Sequence, residues 1–411
     1  MSDTLSLRQH RPFVHYWCAR LSAGFAFQML SVAVGWQIYD ITHDVFDLGL
    51  IGLVQLLPSL LLALPAGHLA DQFNRRRIVA LCQAVECVAT AVLALGTLAG
   101  LFGEGAILTL VFVIGVARAI EFPTRQALLP GLVPESALAR AMAVSASAGQ
   151  SAMIIGPALG GFLYIAGPGV VYGVSTLLYA VAVVMMWRLE YHHRPARRTP
   201  ATMQSLLAGF GFIRGRPVVL GAISLDLFAV LLGGATALLP VFAKDILHTG
   251  PWGLGLLRAA PAVGALAMSV WLANHAMQRR VGHLMFACVA GFGLATIVFG
   301  LSTTFWLSLL ALVALGGFDM VSMVIRGALV QLETPDEMRG RVSAVNSIFI
   351  STSNQLGEFE SGLTAAWFGT VPAVLIGGIG TLIVCALWMR GFPALRQRQQ
   401  LHSAAPVAND T

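Results

Sequence analysis

The chain has 411 residues, of which 57% are hydrophobic and only 11% are charged, and its mean hydropathy is +0.78. Apolar runs of about 18 residues or more recur along the whole chain, which excludes an ordinary soluble protein and indicates a polytopic membrane protein. The net charge of +6 does not indicate nucleic-acid binding, because the apolar runs segregate the basic residues to one side.

Twelve apolar runs are predicted to be transmembrane helices, since every backbone amide in hydrocarbon must be hydrogen-bonded within its own segment. An even number of spans places both termini on the same side of the membrane. Numbered as spans 1 to 12 in chain order, the runs cover residues 13–39, 47–70, 77–100, 105–125, 140–166, 169–190, 218–243, 252–273, 282–301, 304–327, 341–366 and 371–390.

Basic residues are concentrated on the side of the two termini. Lys244 is predicted in an opposite loop, and Arg118 and Arg258 are predicted inside spans, whereas the others, including Arg125 and Arg326, fall on the terminal side. The positive-inside rule therefore predicts cytoplasmic termini in a multi-pass membrane protein. The opposite loops carry acidic residues, namely Asp40, Asp44, Asp47, Glu104 and Asp245.

The loop between spans 2 and 3 reads Gly67-His68-Leu69-Ala70-Asp71-Gln72-Phe73-Asn74-Arg75-Arg76-Arg77. It resembles the signature loop of the major facilitator superfamily, Gly-x-x-x-Asp-Arg/Lys-x-Gly-Arg/Lys-Arg/Lys, with departures at Gln72 and Asn74. The resemblance implies a transporter that moves small solutes by alternating access. It also implies charge pairs between the two halves of the protein, for which the gating candidates are Gly67, Asp71, Arg75 and Arg76. The alternative is that the three arginines only set the topology.

Span 5 contains the pattern Gly-Pro-x-x-Gly-Gly, formed by Gly156, Pro157, Gly160 and Gly161. This pattern resembles the antiporter motif of the same superfamily, which is associated with export. Proline removes a backbone donor and kinks the helix, while the glycines allow neighbouring helices to approach closely. The alternative is glycine packing of the kind that any membrane bundle uses.

The longest polar interruption, residues 190–216, separates two sets of six spans. A shift of 201 residues aligns 125–161 with 326–362 without a gap and gives nine identities, among them Arg125/Arg326, Gly156/Gly357 and Gly161/Gly362. The halves therefore look like copies in the same orientation, as in facilitator-superfamily transporters.

The predicted fold is an all-α membrane protein with twelve transmembrane helices in two pseudo-symmetric six-helix bundles, the major facilitator fold. The predicted parts are a cytoplasmic N-terminal tail (1–12), an N-terminal bundle (13–190), a cytoplasmic linker (191–217), a C-terminal bundle (218–390) and a cytoplasmic tail (391–411).

Ionisable side chains inside the spans are functional candidates, because a charge at mid-bilayer costs about 2.5–3.5 kcal/mol on insertion scales. By analogy with the family fold, spans 1, 4, 7 and 10 line a central cavity, and spans 2, 5, 8 and 11 form the interface between the halves. The analogy places Arg118, Glu121, Asp226 and Asp319 on the cavity, Arg258, Glu358 and Glu360 at the interface, and Glu86 at the periphery.

Arg118 and Glu121 are three residues apart, so they can form a local ion pair, and a static pair is the alternative to a functional role. Asp226 and Asp319 have no opposite charge within one turn of their own helices, and a desolvated carboxyl group suits a proton carrier. We predict that one or both carry the coupling proton; the alternative is a buried acid that is hydrogen-bonded to a neighbouring helix. Further proton-coupling candidates are Glu121, Glu358 and Glu360, with Arg118 and Arg258 as cavity or interface charges. For Glu86 a structural role is favoured.

Three segments resemble the enterobactin-exporter-like branch of the superfamily: Asp226-Leu227-Phe228-Ala229-Val230-Leu231, Arg258-Ala259-Ala260-Pro261 and Ser353-Asn354-Gln355-Leu356-Gly357-Glu358-Phe359-Glu360-Ser361-Gly362. The resemblance implies a secondary active transporter that exports a small amphiphilic molecule, such as a siderophore, a drug or a metabolite, in a proton-coupled cycle. Two alternatives stay open, namely proton-linked uptake of a small solute and a membrane sensor that does not transport.

The sequence contains no phosphate-binding loop, no Gly-x-Ser-x-Gly elbow and no His/Cys metal-ligand spacing, so we do not expect an enzyme or a metal site. Without a nucleotide motif, we expect no cofactor and an ion gradient, of protons, as the energy source. The expected partners are a small-molecule substrate and the lipid bilayer, with no nucleic acid, and the expected oligomeric state is a monomer.

Overall fold

The computed structural model describes Leu7 and residues 10–191, 203–275 and 280–400. The predicted N-terminal tail, linker and C-terminal tail therefore lie partly outside the described residues. Within the described ranges the chain is helical and contains no β-strand.

In the described parts of the chain, twelve long helical elements correspond to the twelve predicted spans, which confirms the predicted all-α fold. They are span 1 (Arg11–Thr42), span 2 (Val45–Leu61 and Ala63–Gln72), span 3 (Arg75–Leu98), span 4 (Glu104–Leu128), span 5 (Glu135–Tyr164), span 6 (Pro168–Arg188), span 7 (Pro217–Leu232, continued by short helical turns to Ile246), span 8 (Gly250–Asn274), span 9 (Val281–Leu301), span 10 (Phe305–Glu333), span 11 (Asp336–Phe368) and span 12 (Thr370–Gly391).

Among the described residues, nine of these elements are each long and apolar enough to cross a membrane, and the two arms of span 2 together make a tenth. Spans 5 and 11 are 30 and 33 residues long but more polar, because Ser, Asn, Gln and Glu side chains occur along them. Span 5 packs on spans 1 and 8, and span 11 packs on spans 2 and 7. Polar side chains are tolerated in a spanning helix where it faces protein or a cavity rather than lipid.

Span 2 was predicted as one continuous run, but its two arms meet at an angle of 53°. Pro65 lies in the first turn of the second arm, Ala63–Gln72. It has no N–H group to donate to the carbonyl group of Leu61, and its ring crowds that carbonyl group. The proline therefore explains why the helix is interrupted at Leu62.

Span 7 is also interrupted, and the break follows a pair of glycines. The first helix ends at Leu232, and Gly233 and Gly234 lead into short helical turns. A Cβ atom on Gly234 would lie only 2.6 Å from the carbonyl carbon of Gly357 in span 11. Glycine is therefore needed at this position so that the two backbones can approach each other.

Helix packing follows the internal repeat. In the amino-terminal half, span 1 packs on spans 5 and 6, span 3 packs on spans 4 and 6, and span 2 packs on span 4. In the carboxy-terminal half the equivalent pairs are present: span 7 packs on spans 11 and 12, span 9 packs on spans 10 and 12, and span 8 packs on span 10. Across the halves, span 2 packs on span 11 and span 8 packs on span 5. The two bundles are therefore pseudo-symmetric, and so are the contacts between them.

The apolar core shows how the halves are joined. We call the membrane side of the two termini the terminus side, and the opposite side the far side. On the far side one continuous core contains residues of both halves, such as Ile38 and Tyr172 with Phe242 and Leu254. On the terminus side the amino-terminal half has its own core, and the carboxy-terminal half has two others. The halves are therefore joined through the far side and separate towards the terminus side.

The helix Met203–Arg214 lies between the two halves in sequence and packs against span 11. The backbone of Gly209 approaches Arg341 so closely that a Cβ atom would lie 2.9 Å from its carbonyl oxygen. The rings of Phe210 and Phe349 also meet, with their centroids 6.4 Å apart. This helix therefore ties the predicted linker to the terminus side of the carboxy-terminal half.

Candidate functional site

Two polar contacts connect the halves at the far side. Lys244 Nζ forms an ion pair with Asp40 Oδ1 at 2.5 Å, and the hydroxyl group of Tyr39 donates a hydrogen bond to Asp245. Tyr39 and Asp40 end span 1, whereas Lys244 and Asp245 lie in the last turn of span 7. We call these two contacts the far-side latch.

Below the latch, the halves cross at four glycines. A Cβ atom on Gly161 of span 5 would lie 2.9 Å from the Cα atom of Gly255 of span 8. In the symmetric crossing, a Cβ atom on Gly49 of span 2 would lie 3.0 Å from the Cα atom of Gly362 of span 11. Gly161 and Gly362 are identical positions of the repeat, so the same glycine builds both crossings.

The Gly-Pro-x-x-Gly-Gly motif has two contact faces. Cβ atoms on Gly156 and Gly160 would press against span 1 of the same half, at Gln28 and Met29. Gly161 and the carbonyl group of Pro157 instead face Gly255 of the other half. The motif therefore places span 5 between its own bundle and the contact with the opposite bundle.

A cluster of polar side chains lies at the contact between the halves, farther from the far side than the glycine crossings. Arg258 of span 8 donates a hydrogen bond from Nη1 to Ser31 Oγ of span 1 at 2.5 Å. Arg258 also interacts electrostatically with Glu358 of span 11, whose Cβ atom lies 2.8 Å from the place a Cβ atom would take on Gly52 of span 2. Arg258 and Glu358 therefore lie at the interface between the halves, as predicted from the family fold.

Glu360 is also on span 11, half-exposed, and accepts a hydrogen bond from Thr364 Oγ1 at 2.7 Å. This bond joins residues one turn apart on the same helix. In this conformation Glu360 thus has a local partner, whereas Glu358 is directed to the contact with the other half.

A small pocket lies beside this cluster in the amino-terminal half. Its walls are mostly aliphatic and aromatic, with the polar groups of Ser31 and Gln55 among them. The guanidinium group of Arg118 lies over the ring of Phe27, 3.4 Å from its centroid. Since Phe27 lines the cavity, Arg118 is placed at its wall. The arrangement combines apolar walls with a cationic group at one edge.

The predicted local pair of Arg118 with Glu121 is wrong in this structure. Glu121 forms its ion pair with Arg125 at 2.8 Å and accepts a hydrogen bond from Gln83 Nε2 of span 3 at 3.1 Å. An acid that precedes a base by four residues is well placed for a helical pair, and here it takes precedence over the three-residue spacing. Glu121 is 1% exposed, so it lies inside the bundle against span 3 rather than on the cavity.

In the carboxy-terminal half, Asp226 of span 7 forms an ion pair with Arg326 of span 10. The sequence placed Arg326 at the terminus-side end of span 10, but the span continues to Glu333 and Arg326 is 3% exposed. Asp226 thus has its countercharge on a neighbouring helix, where a search along its own helix could not find it. The identity of Arg125 and Arg326 in the repeat was the signal that could have revealed a buried arginine.

Asp319 lies two turns from Arg326 on span 10 and lines a small pocket together with Asp226 and Ser322. Within the described part of the chain no ion pair or hydrogen bond engages its carboxyl group. Two predicted proton-coupling candidates therefore share one small cavity, one paired and one without a countercharge.

The loop between spans 2 and 3 makes its contacts within the amino-terminal half. Arg75 pairs with Asp71 at 3.3 Å and donates a hydrogen bond to the carbonyl oxygen of Ala127 at 2.9 Å. Arg76 donates to the carbonyl oxygen of Trp187 at 2.6 Å, where a cation stabilises the C-terminal end of span 6. The predicted charge pairs between the halves are not formed by these contacts. Gly67 lies in the same segment with open space around its Cα atom.

Four groups that the sequence did not single out complete the charged network: Asp40 and Lys244 of the latch, and the buried arginines Arg125 and Arg326. Each forms its bond with a partner that only the tertiary structure or the exact helix end reveals. Among the described residues, no cluster of His, Cys, Asp and Glu could hold a metal ion.

Comparison with known proteins identifies the family. The sequence profile of the family described as transmembrane secretion effector matches residues 2–408. The enterobactin exporter EntS of Citrobacter koseri is 27% identical over 398 residues, which cover 96% of this chain and 95% of the exporter. The enterobactin exporter EntS of Escherichia coli O81 is 26% identical over 396 residues, with the same coverage of 96% and 95%.

Solved structures agree on the fold. A bacterial homologue of the human lysosomal transporter Spinster, in an inward-facing and occupied conformation, gives a TM-score of 0.75 at 13% identity, covering 96% of this chain and 98% of that chain. The nucleoside transporter NupG gives 0.70 at 13% identity, covering 94% and 99%. The chain therefore belongs to the transmembrane secretion effector family of the major facilitator superfamily, and it is a multi-pass membrane transporter of small molecules and not an enzyme.

Proposed function

We propose that this transporter exports a small amphiphilic molecule of the siderophore type across the bacterial inner membrane, in exchange for protons. The observation that carries the proposal is the similarity to enterobactin exporters over 96% of the chain. The antiporter-like motif of span 5 supports export rather than uptake. The transporter acts as a monomer, and an ion gradient drives it without a cofactor.

In this proposal the terminus side faces the cytoplasm, because basic residues concentrate there. The conformation described above is then inward-facing, with the far-side latch and the glycine crossings closed towards the periplasm. A molecule from the cytoplasm enters between the separated halves. Export requires that the latch and both crossings open while the terminus side closes, which is alternating access by rocking of the two bundles.

The substrate binds beside Phe27, where apolar walls receive its aromatic or aliphatic part. Arg258 provides positive charge at one edge of the same region, and Arg118 lies on the ring of Phe27 at its wall. Guanidinium groups recognise oxygen anions and also stack on aromatic rings. This combination suits a molecule that carries aromatic rings and acidic oxygens, which supports a siderophore or a drug of that character.

Proton coupling is assigned to the cavity shared by Asp226 and Asp319. The charged and titratable groups that line the pocket with Asp319 are Asp226 of span 7 and Cys288 of span 9, and Asp226 is paired with Arg326. In the proposed cycle Asp319 is protonated while Arg326 is paired with Asp226. Loss of the proton makes Asp319 a second carboxylate near Arg326. The arginine is then shared between Asp226 and Asp319, and the ion pair that holds span 7 to span 10 weakens. Glu358 and Glu360 are the corresponding groups at the interface.

The proposal can be tested with purified protein in liposomes. Iron-free enterobactin is placed outside inside-out oriented vesicles, and its accumulation is followed with and without an imposed pH gradient. Accumulation that requires an acidic lumen supports proton-driven export. Accumulation that requires the opposite gradient would establish uptake instead, and an absence of transport for a panel of siderophores, drugs and metabolites would favour the non-transporting sensor.

A genetic experiment identifies the natural substrate. Metabolites of medium and cells are compared with the gene deleted or restored, in iron-poor and iron-rich growth. A siderophore or precursor that accumulates in the deletion strain and disappears from its medium supports the proposal. No change in either condition would remove the siderophore as substrate.

A further inference from the structure

The amino-terminal half contains a second buried polar cluster, centred on Glu86 of span 3. Glu86 is 0% exposed, and neither of its carboxyl oxygens has a hydrogen-bond partner among the described residues. Two nearby side-chain atoms are also left without partners there, namely Gln83 Oε1 and Arg125 Nε. A fully enclosed carboxylate without a partner is far more costly than a neutral carboxylic acid. The geometry is therefore that of a proton-binding group.

The groups around Glu86 come from three spans. They are Cys82 on its own span, Arg118, Glu121 and Arg125 on span 4, and Tyr179 on span 6. Two of these already satisfy each other, because Glu121 is held by Arg125 and by Gln83. Glu121 therefore has its ion pair, which leaves Glu86 and Arg118 as the charged groups of this cluster without an ion pair among the described residues.

Arg118 connects this cluster to the cavity between the halves. It interacts electrostatically with Glu86, yet its guanidinium group lies over the ring of Phe27, which lines the small cavity beside the contact between the halves. We propose that Glu86 is the proton-binding carboxyl group of a buried site in the amino-terminal half, and that Arg118 makes its protonation and occupancy of the cavity beside Phe27 mutually exclusive. This inference rests on the proposed proton-coupled export.

The two states differ by one proton and the position of one side chain. With Glu86 protonated, Arg118 stays on the ring of Phe27, as in this structure, and covers the cavity wall. When the Glu86 carboxylic acid gives up its proton to solvent, the carboxylate attracts Arg118 away from the ring. The face of Phe27 is then free for the apolar part of a substrate. Proton and substrate thus compete through Arg118, which is what exchange of one for the other requires.

The test compares wild type with Glu86→Gln, which keeps the shape of a protonated carboxyl group, and with Glu190→Gln, an exposed acid after span 6, as the control. Binding of iron-free enterobactin to the full-length protein in detergent is measured across pH. Where one proton competes with the ligand, the Kd of wild type and control rises about tenfold for each unit of falling pH. Glu86→Gln binds weakly at all pH values, because Arg118 is never drawn from Phe27.

A second readout does not depend on the substrate. Infrared difference spectra between acidic and alkaline pH report the carbonyl band of a protonated carboxylic acid, and Glu86→Gln is expected to lose such a band that Glu190→Gln keeps. If Glu86→Gln does not yield folded protein, Glu86→Asp replaces it, and this shorter acid is expected to shift both the band and the pH at which binding weakens; an Asp variant identical to wild type in both would overturn the inference. A wild-type slope that persists in Glu86→Gln would overturn the inference.

The two proposals fail separately. If wild type shows no pH dependence of binding and no response to a pH gradient, proton-coupled export fails and the link through Arg118 fails with it. If wild type is coupled to protons but Glu86→Gln keeps both its coupling and its infrared band, only the inference about Glu86 is overturned.

Discussion

Asp226 of span 7 and Arg326 of span 10 form an ion pair inside the carboxy-terminal half, where Asp226 is 8% exposed and Arg326 is 3% exposed. Arg125, the repeat equivalent of Arg326, is also paired with a carboxylate, but its partner Glu121 lies on its own helix. The two halves thus keep one arginine and differ in where the acid comes from. In the carboxy-terminal half alone, the pair joins two spans that are expected to line the central cavity.

The first prediction concerns the stability of this pair. Asp226→Asn leaves Arg326 as an enclosed charge without its partner, which costs about 3–5 kcal/mol in buried pairs. Arg326→Gln has a similar cost, because it leaves the carboxylate of Asp226 as the enclosed charge without a partner. The double variant Asp226→Asn/Arg326→Gln leaves no unpaired charge, so most of the stability returns. Unfolding of the detergent-solubilised protein measures all three, and a double variant no more stable than either single one would contradict the pairing.

The second prediction separates Asp319 from Asp226. Asp319 has no countercharge in the cavity that they share, so Asp319→Asn is expected to leave folding intact and to abolish transport driven by a pH gradient. The exposed acid Glu337 at the start of span 11 provides the matched control, Glu337→Gln. Proteoliposome transport with and without the gradient is the measurement. If Asp319→Asn and Asp226→Asn both transport at the wild-type rate, the coupling role of these aspartates is refuted.

The number and order of spans could be predicted from the sequence because hydropathy acts over each segment separately. The repeat could be found for a related reason: Gly156/Gly357 and Gly161/Gly362 keep equal packing roles, so they keep equal spacing. Even the interruptions have local causes, such as Pro65 in span 2. These features require no knowledge of which helices are neighbours.

The charged partners could not be predicted in the same way. Hydropathy ended span 10 at residue 327, because the polar residues that follow resemble a loop, although the helix continues to Glu333. Arg326 was therefore assigned to the terminus side, and the partner of Asp226 was missed. Glu86 was assigned to the periphery by analogy, whereas its surroundings depend on how spans 3, 4 and 6 pack. Which charged side chains pair between helices depends on tertiary packing, and neither the hydrophobic period nor the composition of a segment determines it.

The third prediction concerns the far-side latch between Asp40 and Lys244. Both side chains are partly exposed, so the pair contributes about 0.2–1 kcal/mol to closure. Asp40→Asn should therefore increase opening of the far side by up to about fivefold. Exchange of the charges, Asp40→Lys with Lys244→Asp, should restore closure, and high salt should weaken the effect in wild type.

Opening of the latch can be measured with a thiol reagent that does not cross the membrane. The five native cysteines are first replaced, and Val34→Cys is introduced as the reporter, because Val34 is 2% exposed and lines the cavity beneath the latch. Glu104→Gln is the control, since the acids that it interacts with, Asp44 and Asp47, belong to its own half. Equal labelling rates in Asp40→Asn and wild type would exclude a latch function.

The fourth prediction uses the two faces of the glycine motif in span 5. Gly161→Ala places a methyl group against Gly255 of the other half, 2.9 Å from its Cα atom, whereas Gly160→Ala places one 2.9 Å from the Cα atom of Met29 in the same half. Overpacking of this kind costs about 1–3 kcal/mol. In Gly161→Ala this cost applies only while the halves are closed at the far side, so labelling of the Val34→Cys reporter should rise by about fivefold or more.

In Gly160→Ala the same cost applies in every state of the cycle, because spans 1 and 5 stay within one bundle. That variant is expected to lose stability in thermal unfolding without a change in labelling. Gly173→Ala in span 6 adds a methyl group where nothing lies within 4 Å and controls for the helix propensity of alanine. If Gly160→Ala and Gly161→Ala alter labelling and stability in the same way, the motif is general helix packing and has no separate part in closing the far side.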